Sequence, residues 1–162
     1  MDITNSSNFV QRTEAIKAFL ADINKTKVMT PQEEKDLFAK YEDSVERVKS
    51  VRNSKLSAEQ KQSIISREEK IQTDIRNEII LRNQRFNFAV AKRYDTKEIL
   101  MDLVNVGTIG MYEAFEKYDY KEGVRFCSFA VWYIRRAINA YLVKENLTVR
   151  SVNNTRVMPK VK

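Results

Sequence analysis

Glycine and proline are scarce in this chain, which has three glycines and two prolines among its 162 residues. β-Sandwiches and barrels need frequent turns, and glycine and proline are the usual turn formers. Helix-favouring residues such as Lys, Glu, Ala and Leu are plentiful, and hydrophobic residues, at 43%, suffice for a core. We therefore predict an all-α fold built as a multi-helix bundle.

Apolar periodicity and capping signals locate the helices. They predict helices over residues 9–24 and 31–51, and then a polar break at 52–60. A long helix follows the break and ends at 94, and two more helices cover 99–118 and 128–144. Thr30 with Glu33, and Ser57 with Gln60, have the spacing of capping boxes. Residues 59–74 have few apolar side chains, so we expect them to be solvated. Gly107 and Gly110 do not match a phosphate-binding loop and indicate close helix packing.

The residue types that the chain lacks narrow its function. It has no histidine, which is the commonest general base and metal ligand. We therefore expect no enzyme, no metal site and no cofactor. The only cysteine, Cys127, excludes an intramolecular disulfide and suits a reducing cytoplasm. No apolar run approaches the length of a membrane span, so we expect a cytoplasmic protein without a membrane partner.

The basic residues are unevenly distributed. Residues 1–75 hold 13 Lys and Arg against 13 Asp and Glu, whereas residues 76–162 hold 16 against 9. The whole net charge of +7 therefore lies in the second half. This asymmetry indicates a polyanionic partner such as nucleic acid; the alternative is a merely basic surface.

Residues 126–142, FCSFAVWYIRRAINAYL, have two distinct faces when placed on a helix. The core stripe consists of Cys127, Ala130, Val131, Ile134, Ile138, Tyr141 and Leu142. The opposite face carries Phe129, Trp132, Arg136 and Asn139, flanked by Tyr133 and Arg135. Aromatic rings beside arginines suit unpaired bases, because every base has a face that stacks. The alternative is packing against another helix, which does not readily explain the arginines and Asn139.

Three consecutive segments carry dense motifs: NEIILRNQRFNFAVAKRY, DLVNVGTIGMYEAFEKYDYKEGVRF and CSFAVWYIRRAIN. They include Asp-Leu before Gly-x-Ile-Gly, an aromatic-acidic-aromatic turn with Gly, and Ala-x-Trp-aromatic-Ile-Arg. Together they resemble region two of primary-type bacterial sigma factors. To a lesser degree, IKAFLADINKTKVMTPQEEKDLFAKYE resembles the helical segment before that region. The resemblance implies a region-two-like bundle and a function in transcription initiation.

The resemblance implies two partners and a set of residues for each. The first partner is core RNA polymerase, where the coiled coil of the largest subunit would be gripped by Asp102, Asn105, Thr108 and Tyr112. The second is promoter DNA, especially the non-template single strand of the minus-ten element. Its implied contacts are Arg125, Phe126, Ser128, Phe129, Trp132, Tyr133, Arg135, Arg136, Asn139 and Arg150.

Individual roles and departures follow from the same resemblance. Phe129 aligns with an aromatic residue that stacks on a flipped adenine, and Trp132 with Tyr133 aligns with a wedge at the upstream edge of the bubble. Val106 and Val124 replace a usual glutamate and a frequent aromatic residue, which removes one contact each. Positions 136 and 139 commonly hold glutamine and threonine, so the preferred minus-ten sequence is expected to differ.

The resemblance also divides the chain into four parts. We expect an N-terminal helical segment at 1–51, a solvated helical spacer at 52–76, the region-two-like domain at 77–146 and an extended basic arm at 147–162. Family members continue with a domain that reads the minus-thirty-five element. The chain is therefore either a fragment or a naturally short factor, for example a phage-encoded one in a host cytoplasm, that needs a separate partner for upstream DNA.

Two other functions remain open from the sequence. A helical protein that binds duplex DNA without polymerase would bind duplex and single strands similarly. A helical adaptor protein would use the aromatic face as a protein interface and would not bind nucleic acid at moderate salt.

Overall fold

The computed structural model describes residues 3–94 and 99–144, with side chains from residue 13 onward. Its helices are α1 (Ile3–Lys25), α2 (Pro31–Arg52), α3 (Ala58–Arg82), α4 (Gln84–Ala91), α5 (Leu100–Phe115) and α6 (Phe126–Lys144). Short 3₁₀ turns cover Lys92–Tyr94 and Tyr120–Glu122. The all-α prediction is confirmed. The expected turn at 95–97 and the basic arm at 147–162 lie outside the described residues.

Two helices begin at capping boxes, as the sequence predicts. At the start of α2, the Glu33 N–H donates to Thr30 Oγ1 at 3.2 Å and the Thr30 N–H donates to Glu33 Oε2 at 2.8 Å. Ser57 and Gln60 make the same pair of bonds before α3. These bonds satisfy amides that a helix start leaves without partners. The first box therefore fixes the start of α2, and the second fixes the start of α3 after the turn from α2.

The predicted continuous helix ending at 94 is wrong, because it breaks at Asn83. The Asn83 side chain donates from Nδ2 to Ile79 O at 2.8 Å, and the residue leaves helical geometry at φ −101° and ψ 2°. Asparagine competes with the helical backbone for hydrogen bonds, which favours such a break. The chain restarts as α4, whose Asn87 is fully buried and donates to Val104 O at 2.9 Å.

The prediction that residues 59–74 are solvated holds for most of these positions and is wrong for Glu68. Glu68 is buried, and its carboxylate accepts a hydrogen bond at 2.8 Å from the hydroxyl of Ser44, which is fully buried on α2. Gln72 donates to the same hydroxyl at 3.3 Å. Helices α2 and α3 therefore pack as an antiparallel pair held by buried polar contacts, which an apolar count does not detect. The four-part division of the chain stays a prediction.

Glycines bring α5 and α6 into close contact. A Cβ atom on Gly110 would lie 2.7 Å from the carbonyl oxygen of Tyr133 and 3.0 Å from the Cα of Ile134. A Cβ atom on Gly107 would collide with the Asn87 side chain. The prediction of close helix packing at both glycines is confirmed. The seam between the helices includes fully buried Leu103, Met111, Ile134 and Ile138.

The N-terminal helices are joined to this core by an aromatic cluster and by arginines. Phe38 of α2 lies 5.2 Å from the Phe115 ring and 4.7 Å from the Tyr118 ring. Arg82 donates to Lys27 O, and Arg85 donates to Ile23 O and Asn24 O. These bonds anchor the end of α1 and the linker to α2. Among the described helices, none combines the length and apolarity that crossing a membrane requires.

Replacing Gly110 with alanine should destabilise the fold. The added methyl group meets backbone atoms of α6, and such overpacking costs about 1–3 kcal/mol, more than the ~1 kcal/mol that helix propensity returns. Thermal denaturation followed by circular dichroism should show a lower midpoint for Gly110→Ala. Ile109→Ala, at the exposed neighbouring position, is the control. Equal midpoints for the wild type and Gly110→Ala would contradict the close packing.

Glu33 should make part of the stability depend on pH. Hydrogen bonds from the backbone and side chain of Thr30 lower the pKa of Glu33 to about 2, from 4.5. A lowered folded pKa stabilises the fold above the unfolded pKa, and this contribution is lost as the pH falls from 4.5 towards 2. Thermal melts at stepped pH should show a smaller loss over this window for Glu33→Gln. An equal loss of thermal stability in the wild type and in Glu33→Gln would show that Glu33 is not the source of this pH dependence.

Candidate nucleic-acid interface

Helix α6 separates a buried stripe from a partly exposed aromatic and basic face, in which Phe129 and Tyr133 are half-buried against the core. Ala130, Ile134 and Ile138 are fully buried and Leu142 nearly so, while Cys127, Val131 and Tyr141 are half-buried. These seven residues are the predicted core stripe, which is confirmed. On the other side, 69% of Trp132 is exposed. We call Phe129, Trp132, Tyr133, Arg136 and Asn139 the α6 face.

The α6 face contains a hollow of about 430 Å³ lined by Phe129, Trp132, Tyr133 and Arg136. The Phe129 and Tyr133 rings pack at 5.3 Å between centroids, and Lys117 Nζ lies 5.4 Å from the Tyr133 ring centre. A planar aromatic ligand can stack here while the guanidinium group of Arg136 pairs with an anion. The alternative of packing against another helix does not hold for Trp132 within the described residues, because most of its ring is exposed.

Phe126 does not belong to this face. Its side chain is fully buried and packs against the rings of Phe38, Phe115 and Tyr118 at 5.8, 6.5 and 5.4 Å. The expectation that its ring binds DNA is therefore wrong. Helix α6 begins at Phe126, not at the predicted 128, and position 126 lies on the buried stripe. Its four-residue spacing from Ala130 is the sequence signal that was missed.

The remaining implied DNA contacts lie in different settings. Arg125 is half-buried and donates from Nε to Glu34 Oε2 at 3.1 Å and from Nη2 to Met29 O at 2.9 Å. Ser128 is exposed and Arg135 is half-buried. Arg150 lies outside the described residues. A DNA-binding role for these four residues stays a prediction.

The loop before α6 is stabilised by Tyr118. Its hydroxyl lies 3.3 Å from Glu34 Oε1 and also bonds the Val124 carbonyl, and its ring packs 5.5 Å from Phe129. Burial and the charge of Glu34 raise the pKa of the Tyr118 hydroxyl, which therefore remains a hydrogen-bond donor at neutral pH. Gly123 in this loop has φ +76°, a left-handed conformation that favours glycine.

Helix α5 presents a second exposed surface. Asp102, Asn105, Ile109 and Tyr112, spaced by three and four residues, are all exposed; we call them the α5 face. Ile109 is 59% exposed and was not among the predicted contacts, although its spacing places it in this row. The Tyr112 hydroxyl donates to Asn77 Oδ1 at 3.1 Å, and Arg76 lies over its ring.

Thr108 differs from its neighbours on α5. Its hydroxyl donates to Val104 O at 2.9 Å and accepts from Gln84 and Asn87, both at 3.1 Å. The side chain is therefore occupied within the bundle and is half-buried. Val106 is also half-buried and packs against the core. A role for Thr108 at a polymerase contact stays a prediction, and the hydroxyl would have to exchange partners to make one.

The segment that contains the α5 face and the α6 face matches a known protein family model. Residues 79–148 match the family model described as Sigma-70 region 2. Over these residues the chain is similar to sigma-70 region 2. The match extends from the end of α3 through α6 and so contains both the α5 face and the α6 face.

Three sigma factors are similar to stretches of 69 to 138 residues of the chain. The RNA polymerase sigma factor SigA of Clostridium acetobutylicum is 28% identical over 138 residues, which cover 85% of this chain and 29% of that protein. The sigma factor RpoD of Neisseria gonorrhoeae is 29% identical over 108 residues (66% and 15%). The principal sigma factor HrdD of Streptomyces coelicolor is 39% identical over 69 residues (42% and 21%). The chain therefore spans less than a third of each relative's length.

Proposed function

We propose that the chain acts in transcription initiation as a sigma-like subunit. In this proposal the α5 face binds the coiled coil of the largest subunit of core RNA polymerase. The α6 face then captures non-template bases of the minus-ten element. The observation that carries the proposal is the hollow on α6, where exposed Trp132 and Arg136 border two packed aromatic rings in a sigma region 2 segment.

The chemistry of the α6 face suits strand capture. Unstacking and unpairing a base costs a few kcal/mol. Stacking on an aromatic side chain returns roughly 1–3 kcal/mol per base, and arginine contacts to phosphate add to this. Such opening makes and breaks no covalent bond, so the proposed function is not enzymatic. It would take place where the polymerase works, in the bacterial cytoplasm.

The α5 face suits a protein partner. Exposed Ile109 lies beside Tyr112, with exposed Asp102 and Asn105 in the same row. An apolar centre with a polar rim is the usual composition of a protein interface. Helix α5 places no arginine or lysine in this row, so phosphate is a poor partner for it. The two faces therefore differ in the chemistry of the partner that each would bind.

The proposal can be tested by fluorescence anisotropy of a labelled single-stranded minus-ten oligonucleotide. We expect sequence-selective binding with core polymerase present, and weaker binding to a scrambled strand and to duplex. Binding should weaken with salt, because Lys and Arg contacts release counterions. Equal binding to every DNA without polymerase would indicate a general DNA-binding protein. No binding at all would indicate an adaptor whose aromatic face contacts protein.

Trp132→Ala should lower the affinity for the single strand by about tenfold or more in this assay, since stacking is worth roughly 1–3 kcal/mol per base. Affinity for polymerase should stay unchanged, because Trp132 is exposed and does not belong to the α5 face. Val143→Ala is the matched control: Val143 is 78% exposed on the same helix and does not line the hollow. An unchanged strand affinity for Trp132→Ala would refute base capture at this face.

Ile109→Glu should produce the opposite pattern. A charge in an apolar interface loses its hydration without a partner, so affinity for core polymerase should fall by at least about tenfold, or ~1.4 kcal/mol. The thermal midpoint should hold, because Ile109 is exposed. Ile64→Glu, at an exposed apolar position on α3, is the control. Polymerase pull-down titrations that show equal affinity for Ile109→Glu and the wild type would exclude the α5 face.

A further inference from the structure

The first turn of α6 is held by a side chain from outside the matched family segment. Glu34 of α2 is 3% exposed, and its Oε1 atom accepts a hydrogen bond from the backbone N–H of Phe126 at 2.8 Å. Its Oε2 atom accepts from Arg125 Nε at 3.1 Å. One buried carboxylate therefore binds the first residue of α6 and the residue before it.

This contact replaces the local cap that α6 lacks. A helix start has unpaired N–H groups and a partial positive charge, both of which a carboxylate stabilises. The residue before α6 is Arg125, whose side chain has no acceptor. The acceptor comes instead from a residue 92 positions earlier in the chain. The start of α6 therefore depends on the placement of α2.

The same carboxylate reaches the wall of the hollow through Tyr118. The Tyr118 hydroxyl lies 3.3 Å from Glu34 Oε1. Its ring packs against Phe129 at 5.5 Å, and Phe129 packs against Tyr133 at 5.3 Å. Two of the four residues that line the hollow thus lie one or two ring contacts from Tyr118. Loss of Glu34 would remove the acceptor at the helix start and one of the two hydrogen-bond partners of the Tyr118 hydroxyl.

Arg125 adds a second connection between the same elements. Its Nη2 atom donates to Met29 O in the linker before α2, while its Nε atom pairs with Glu34. The guanidinium group thus links the α1–α2 linker, α2 and the start of α6. A carboxylate this buried is expensive to leave unpaired, so the arrangement is expected to hold as a unit.

We propose that Glu34 is a positioning residue of the α6 face. It holds the first turn of α6 and the Tyr118–Phe129 contact in the geometry that receives a base. The strand-capture site then includes α2 and is incomplete in residues 79–148 alone. This inference rests on the proposed function and adds a residue that does not itself contact DNA.

The test uses the full chain with core polymerase and the labelled minus-ten single strand. Glu34→Ala should lower strand affinity by about tenfold, or ~1.4 kcal/mol, with polymerase affinity unchanged. Glu34→Gln should show a smaller loss, because its amide oxygen can still accept from the Phe126 N–H but forms no ion pair with Arg125. Ser44→Ala, which removes another buried polar group of α2, should leave strand affinity unchanged.

Hydrogen exchange separates positioning from general destabilisation. In Glu34→Ala the Phe126 amide should exchange faster, while amides in the middle of α6, such as Ile134, keep their protection. If Glu34→Ala does not fold, Glu34→Gln gives the same comparison. If the wild type binds the strand and both Glu34 variants bind it with the same affinity, this inference is overturned and the proposed function is not. Absence of strand binding by the wild type would overturn the proposed function and, with it, this inference.

Discussion

The close approach of α5 and α6 is the constraint on which both candidate surfaces depend. At Gly110 the backbones come so near that no side chain fits between them. Interdigitation of Met111, Ile134 and Ile138 along the same seam buries one side of each helix. Each helix is therefore left with one outward row. The polar and apolar residues on α5 and the aromatic and basic residues on α6 are presented by a single rigid pair.

Local signals in the sequence were sufficient for the starts of α2 and α3 and for the buried stripe of α6. The capping boxes at Thr30 and Ser57, and the apolar spacing after position 126, involve only residues a few positions apart, so their geometry follows from the helix itself. The burial of Phe126 could also have been predicted from this apolar spacing. The error came from grouping Phe126 with the DNA contacts that the resemblance implies, although position 126 lies four residues before Ala130 of the core stripe.

Contacts between distant helices could not be predicted in this way. The Ser44–Glu68 hydrogen bond joins side chains 24 positions apart, and the bond from the Phe126 backbone N–H to Glu34 spans 92 positions. In the sequence, Ser44, Glu68 and Glu34 each have the polar character of a solvated helix surface. The hydrogen-bond partners of Thr108 could not be predicted from its spacing either. Its spacing places it beside Asn105, but its hydroxyl turns to Gln84 and Asn87. A helical wheel shows on which face of a helix a side chain lies, but it does not show which groups on other helices that side chain contacts.

The charge asymmetry must be interpreted with these partners in mind. Arg82, Arg85 and Arg125 belong to the basic second half, yet they donate to backbone carbonyls of the N-terminal helices and linker. Lys121 pairs with Glu42 at 2.6 Å. Part of the positive excess therefore joins the two halves of the chain and does not face a polyanion. The α6 face itself carries Arg136 beside aromatic rings, and for the proposed function this composition suits base stacking more than phosphate contacts alone.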